Sequence, residues 1–329
     1  MSDQATLTAE APMRRTYRVA VVYGGRSSER EVSLATGRAV GEALEARGHQ
    51  VMMIDPRDPQ APERHLDLLQ AIESAGAEVV FNALHGTYGE DGCLQGLLDW
   101  SGVPYTGSGL KSSAIAMDKE MTRQLWRIAG IPVAAGRVWR AGEPLPQAEE
   151  LPSGPWALKP LAEGSSVGIS RCDELAELQE KLSELKSGAW LIEAWLEGCE
   201  LSVVVFEGEA WGGVEIVPSR GWYDYEAKYV RGDTQYFCPP RLPDERLSEI
   251  YALAERAYLA LECEGVARVD FISADSKLIA LELNTSPGMT ATSLVPKVAR
   301  ARGLSFEELT ERLIAAALSD RLSTGGGDD

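Results

Sequence analysis

Arg268, Asp270, Glu282 and Asn284 occupy alternate positions of two apolar runs, Arg268-Val269-Asp270-Phe271 and Leu281-Glu282-Leu283-Asn284-Thr285-Ser286-Pro287-Gly288. Alternation is the strand pattern, so Arg268 and Asp270 share one face, as do Glu282 and Asn284. Two carboxylates and an amide oxygen beside a fixed cation suit one or two Mg²⁺ ions carrying a polyphosphate. Mg²⁺ takes a few such oxygens and completes its shell with water and phosphate. The pattern reads as a nucleotide-using enzyme. The competing reading is two half-buried strands whose polar faces carry ordinary salt bridges.

A second cluster lies upstream. The apolar strand Pro155-Trp156-Ala157-Leu158-Lys159-Pro160 runs into the Gly/Ser-rich stretch 163–168. Without a bulky Cβ, glycine lets the backbone turn N–H groups toward an anion. Lys159, four residues before Glu163, could bring an ammonium to the same phosphates. The stretch is not a Walker A loop, which needs Lys-Ser or Lys-Thr after the second glycine. Gly24-Gly25 likewise lacks the third glycine of a dinucleotide fingerprint. A plain surface turn remains the alternative for 163–168.

These side chains must be carried by a sizeable fold. With 329 residues and 44% hydrophobic content, the chain can bury a large core in two or three domains. A net charge of −18 argues against nucleic acid or an anionic membrane as partner, because phosphate contact needs a basic stripe. An anionic nucleotide must then be met by local Lys, Arg, Mg²⁺ and backbone N–H groups. No apolar run approaches the roughly 20 residues of a membrane span, and no signal-peptide core is visible, so a cytoplasmic location is expected. Cys93, Cys172, Cys199, Cys238 and Cys263 form no CxxC pair, and His49, His65 and His85 stand far apart. Neither a disulfide framework nor a zinc motif is expected.

Residues 17–23 read as a buried strand, followed by an amphipathic helix to about 47 and a strand at 51–54, a βαβ unit of a parallel sheet. A helix over 63–75, a strand over 78–84 and a helix over 93–101 continue it. One helix is expected over 112–129. Short strands follow at 133–139, 155–160 and 190–196, with a helix over 173–186. Residues 201–206 and 210–217 read as a hairpin about Gly208. The polar, aromatic stretch 219–237 reads as a lid, since long loops inside compact domains are usually functional. Helices are expected at 245–263 and 305–318, and the tails 1–15 and 321–329 read as disordered.

From about residue 17 to 318 the sequence resembles the D-alanine–D-alanine ligases, members of the ATP-grasp superfamily. The resemblance rests on GGRSSEREVS (24–33), ALHGTYGEDGCLQG (83–96), PYTGSG (104–109), MDK (117–119), LKPLAEGSSVG (158–168), YDYEAKY (223–229), TQYFCP (234–239), RVD (268–270) and LELNTSPGMTATSLVP (281–296), in family order. It implies an α/β fold, α+β in its ATP-grasp part. The implied segments are an N-terminal substrate domain at 16–108, a central subdomain at 109–192, and a C-terminal domain at 193–320 with the metal and catalytic residues. It also implies two-step chemistry. ATP phosphorylates the carboxylate of one D-alanine, and the amine of a second attacks the acyl phosphate, for peptidoglycan precursor synthesis.

The resemblance assigns roles residue by residue. Asp270, Glu282 and Asn284 match the ligands of two Mg²⁺ ions, with Mn²⁺ able to substitute. Arg268 and the backbone N–H of Gly288 match the oxyanion site. Glu29 matches the partner of the first D-alanine's ammonium. From the residues alone, Glu29 or Glu31 reads as a helix N-terminal acid favoured by the macrodipole. Ser165 and Tyr229 match groups that hydrogen-bond toward Glu29, Lys228 a γ-phosphate ligand, and His85 a group near the first D-alanine. Lys119 and Lys159 match phosphate lysines. Glu193, Trp195 and Leu196 match the adenine site, Glu200 the ribose carboxylate, and Ser293 with Leu294 the second D-alanine's carboxylate site. The implied partners are ATP and two D-alanines, in a homodimer. A D-lactate- or D-serine-using ligase and a silent nucleotide-binding protein are the competing functions. Intact Arg268, Asp270, Glu282, Asn284 and Lys159 argue against the silent protein.

Overall fold

The computed structural model describes residues 15–57, 68–162, 164, 168–223, 227, 232–274 and 277–324, with side chains to 319. The first unit is a parallel sheet in which β1 (Arg18–Val22) lies between β2 (Gln50–Ile54) and β3 (Val79–Asn82), with Val19 opposite both Val51 and Val79. Val19 to Val22 are buried on both faces, which is why this strand is continuously apolar rather than alternating. The crossover is α1 (Arg30–Ala46). Between β1 and α1 the chain turns through Gly24 and Gly25, both at positive φ, and a Cβ on Gly24 would lie 2.6 Å from Asp55 Oδ1. Only glycine fits that approach. The unit continues through α2 (Leu68–Ser74) and α3 (Cys93–Ser101).

Two antiparallel sheets follow. One runs β4-β7-β5-β6, built from β4 (Gly136–Arg140), β5 (Trp156–Pro160), β6 (Ser170–Cys172) and β7 (Ala189–Ala194). Helix α6 (Leu175–Glu184) gives it a core of its own with Trp139, Trp156, Leu158, Leu178, Leu182 and Ile192. The other runs β10-β9-β8-β11-β12, from β8 (Cys199–Phe206), β9 (Glu209–Val217), β10 (Gln235–Phe237), β11 (Val266–Ala274) and β12 (Lys277–Asn284). Helix α7 (Asp244–Ala260) covers one face of this second sheet. Its other face joins a core that includes Val19, Val21 and Phe81 of the first unit, with α8 (Leu294–Ala301) and α9 (Phe306–Thr324).

Several elements differ from expectation. The single helix expected over 112–129 is two, α4 (Leu110–Met117) and α5 (Lys119–Ile128). Asp118 is extended between them, and its carboxylate accepts the N–H groups of Glu120 and Met121, so it caps the second helix. Both helices pack on the five-stranded sheet through Ala116 and Trp126. Within the expected lid, residues 235–237 form β10 and pair with β9. Helix α8 has no counterpart among the elements expected above, and it contains Pro296. In its first turn proline removes an N–H that has no intrahelical acceptor, so the helix tolerates it. The last helix runs to Thr324, beyond the expected end at 318. Of the expected tails, 1–15 and 321–329, residues 1–14 and 325–329 lie outside the described residues, whereas 321–324 are not a tail but the last turn of α9.

Candidate active site

The centre of the site is the β11–β12 hairpin. Its register sets Arg268 opposite Asn284 and Asp270 opposite Glu282, so all four polar groups share one face. Arg268 grips Asp270 through two bonds, Nε to Oδ1 at 2.9 Å and an Nη to Oδ2 at 2.8 Å. Ser202, opposite Asp270 on β8, donates its hydroxyl to Oδ1 at 2.6 Å. Burial favours the uncharged guanidinium of Arg268, but Asp270 and Glu282 outweigh it and hold the pKa well above the usual range. The site cation is therefore permanently charged. The salt bridge expected from the simpler reading is present at Arg268–Asp270, while Arg268, Glu282 and Asn284 line a cavity.

The donor set fits Mg²⁺. Asp270 Oδ1 accepts two hydrogen bonds and Oδ2 one, so Oδ2 has capacity to ligate. Asn284 Oδ1 accepts the Ser286 N–H at 2.8 Å, which fixes the oxygen side of the amide. Among the described residues no three His, Cys, Asp or Glu side chains gather into a metal cage. Two carboxylates and one amide suit an ion that keeps water and phosphate in its shell.

The cavity, about 400 Å³, brings together Glu29, His85, Lys119, Arg268, Gly288 and Ser293, among others. Glu29 stands at the N-cap of α1, yet its side chain does not cap that helix. It is buried, and a Cβ added to Gly86 or Gly164 would sit 2.7 or 2.9 Å from its Oε2. Glycine at both positions thus makes room for this carboxylate. His85 is held from both sides: Nδ1 is 3.1 Å from Glu90 Oε1, and Nε2 is 3.0 Å from Thr36 Oγ1. Ser293 Oγ, also in the lining, accepts the Thr290 N–H at 3.0 Å and lies 2.8 Å from Thr290 Oγ1. Leu294 also lines the cavity, and its side chain is buried in the core below.

Lysines approach from two directions. Lys119 opens α5 beside the cavity, and its N–H donates to Leu161 O at 3.2 Å, tying the helix start to the strand that carries Lys159. The Lys159 ammonium is bonded to Glu193, its diagonal neighbour on the same face of the adjacent strands β5 and β7, where Lys159 pairs with Leu191 and Glu193 with Ala157. Desolvation pulls its pKa down, but Glu193 and then Glu282 raise it above the usual lysine value. Glu193 is buried, with a second cation, Arg123, 3.8 Å away.

Some expected site residues stand apart. Trp195, Leu196 and Glu200 follow β7 and open β8, outside the cavity lining. The Trp195 N–H is already bonded to Pro155 O at 2.8 Å, so base recognition expected of its backbone is left to its carbonyl. Its ring meets Trp222 edge-on at 5.8 Å and Arg171 at 5.2 Å. Ser165, Lys228 and Tyr229 lie outside the described residues. Glu90, Tyr223, Tyr236, Ser202 and Arg123 were not singled out from sequence, though the first three line the cavity. A readable signal existed for Arg123, which shares the buried stripe of α5 with Thr122 and Trp126, at helical spacing.

Comparison with known proteins places this geometry. A family model described as the D-ala D-ala ligase C-terminus matches residues 125–315, and one for the N-terminus matches 56–108. A D-alanine–D-alanine ligase of Anaeromyxobacter sp. (strain Fw109-5) is 47% identical, covering 91% of this chain and 96% of its own. One from Syntrophotalea carbinolica is 42% identical over the same shares. The crystal structure of a D-alanine–D-alanine ligase from Bacillus anthracis complexed with ATP superposes with a TM-score of 0.82. It is 31% identical, covering 95% of this chain and all (100%) of the other. Motifs from both ends of the sequence thus converge on one cavity inside a matching fold, and the chain belongs to the D-alanine–D-alanine ligase family.

Proposed function

We propose that the protein joins two D-alanine molecules at the expense of ATP, through a D-alanyl phosphate, in the cavity between Glu29 and the Arg268–Asn284 hairpin face. The observation that supports this most is the set of groups that line that cavity. A buried carboxylate suited to an ammonium stands at one wall. A fixed guanidinium suited to a carboxylate and its phosphate lies on the hairpin, and the Gly288–Leu294 turn can receive a second carboxylate. With the first substrate's ammonium on Glu29, its carboxylate oxygen attacks the γ-phosphorus and ADP leaves. The second substrate's amine, deprotonated, then adds to the acyl carbon, and phosphate departs from the tetrahedral centre. Arg268 and the Gly288 N–H meet the charge that builds on oxygen in both steps. Lys119 and Lys159 hold the ATP phosphates, with Glu193, Trp195, Leu196 and Glu200 toward the nucleoside. Asp270, Glu282 and Asn284 would hold Mg²⁺, which when bound offsets charge on the phosphate oxygens.

An acyl phosphate open to water would hydrolyse, so the cavity must close. Tyr223 and Tyr236 share a hydroxyl contact of 3.0 Å at the cavity wall, and Gly164 lies over Glu29. We assign Ser165, Lys228 and Tyr229 to the same closure. The test is ADP release with D-alanine, D-serine, D-lactate or L-alanine, followed by product mass. D-alanyl-D-alanine as the main product supports the reading. A depsipeptide as main product would replace it with the D-lactate ligase, and L-alanine turnover equal to D-alanine would sink the stereochemical assignment.

A further inference from the structure

We infer that Arg123 is a positioning residue for the phosphate lysine: its buried guanidinium receives the Glu193 carboxylate when nucleotide draws Lys159 away. The inference rests on reading Lys159 as a phosphate ligand. In this structure Lys159 is held by Glu193 Oε1. A phosphate can recruit that ammonium only if Glu193, 5% exposed, is not left as an unpaired buried charge. Arg123 is built to prevent this. It is 1% exposed, and it donates one Nη to Glu120 Oε2 at 2.8 Å and the other to Ala134 O at 2.7 Å, so its plane is fixed. Its Nε is buried with no hydrogen-bond partner among the described residues, 3.8 Å from Glu193 Oε2.

A buried donor left unsatisfied is unusual, and it needs a physical reason. Here a shift of roughly 1 Å by Glu193 would complete the bond at ordinary N–H···O distance. The carboxylate would then trade one cation for the other without entering water. Burial lowers the Arg123 pKa while Glu193 and Glu120 oppose that, in keeping with a guanidinium whose countercharge is shared. Arg123 lies four residues after Lys119 on the same helix, so the element that delivers one phosphate lysine also carries the group that releases the other.

The experiment is binding of ADP and of adenosine to the full chain by competition. Arg123→Met should weaken ADP about 10- to 100-fold, the range of a lost charge-assisted contact. Adenosine, which makes no demand on Lys159, should bind as before. Adding Glu193→Gln should restore at least about half of the loss in ADP affinity on a logarithmic scale, taken relative to adenosine in the same variant so that any effect of Glu193 on the nucleoside cancels, because the neutral amide neither grips Lys159 nor needs a cation. Equal losses for ADP and adenosine, or no rescue in the double variant, would overturn the inference. Should Arg123→Met fail to accumulate, Arg123→Lys carries the test alone, since an ammonium cannot reach Glu120, Ala134 O and Glu193 in one plane. Weakened ADP with unchanged adenosine supports the inference there, and wild-type ADP affinity rejects it. Lys159→Met separates the two readings: unchanged ADP affinity in that variant rejects Lys159 as a phosphate ligand, whatever Arg123 does.

Discussion

Glu282 is the residue on which the proposed metal and phosphate chemistry most depends. It lines the cavity, stands opposite Asp270 in the hairpin register and raises the pKa of both Arg268 and Lys159. Replacing it with Gln removes one anionic oxygen from the proposed Mg²⁺ set with little change of shape. Such a contact is worth about 2.7–4 kcal/mol of barrier, so turnover should fall about 10²- to 10³-fold with an unchanged melting curve. Kinetics at limiting and saturating Mg²⁺ check this, and wild-type activity at limiting metal would remove Glu282 from the set. At this scale the sequence was informative where chemistry follows strand alternation. Arg268, Asp270, Glu282 and Asn284 were placed by period alone, and their common face followed once the strands paired. Glu90 and Ser202 could not be found this way. Glu90 meets His85 across a short glycine turn and Ser202 meets Asp270 across a sheet, and apolar period carries no record of either contact.

Among the elements, α5 has the sharpest dependence on one residue. Asp118 ends one helix and caps the next, which fixes the direction in which Lys119 leaves the backbone. Asp118→Ala should cost about 1 kcal/mol of stability, the usual value of a lost N-cap, and raise the KM for ATP more than that for D-alanine. Denaturant unfolding and steady-state kinetics test the two effects separately. The break was invisible to periodicity because the apolar stripe runs through it; the cap was written in a single Asp. Strand β9 presents a second case. Glu215 is buried and takes Arg241 through two bonds of 2.7 and 3.0 Å, while Arg241 lies 3.5 Å over Phe237 of β10. The Arg241 hydrogen bonds hold the Glu215 pKa below its ordinary 4.5 against desolvation. A carboxylate depressed on folding stabilises the protein above pH 4.5, and that contribution is lost as pH falls through the lower folded value. Glu215→Gln should therefore lower the melting temperature at pH 7 and flatten its acid decline below about 4.5. Melting curves between pH 3 and 7 that stay parallel for the two proteins would contradict this.

For the whole molecule, the arrangement explains how a chain of net charge −18 can handle a polyanion. Lys119 and Arg268 line the cavity, and the buried carboxylates Asp270 and Glu193 hold Arg268 and Lys159. No helix among the described residues is long and apolar enough to cross a membrane. The four-stranded sheet keeps a core of its own, whereas the first unit is bound to the C-terminal helices by shared apolar packing and by Arg47 on Glu311 at 2.6 Å. The order of strands and helices along the chain was largely legible from apolar period and glycine punctuation. What joins residue 19 to residue 314 was not, because long-range packing leaves no local pattern.

The proposed reaction activates a D-alanine carboxylate by phosphorylation in one cavity before peptide-bond formation. It is tested most directly by giving the protein ATP and D-alanine labelled with ¹⁸O in its carboxylate, then analysing peptide and inorganic phosphate by mass. The acyl-phosphate route predicts D-alanyl-D-alanine together with phosphate carrying one ¹⁸O, because the carboxylate oxygen that attacks phosphorus leaves with it. Peptide formed alongside unlabelled phosphate would contradict the account.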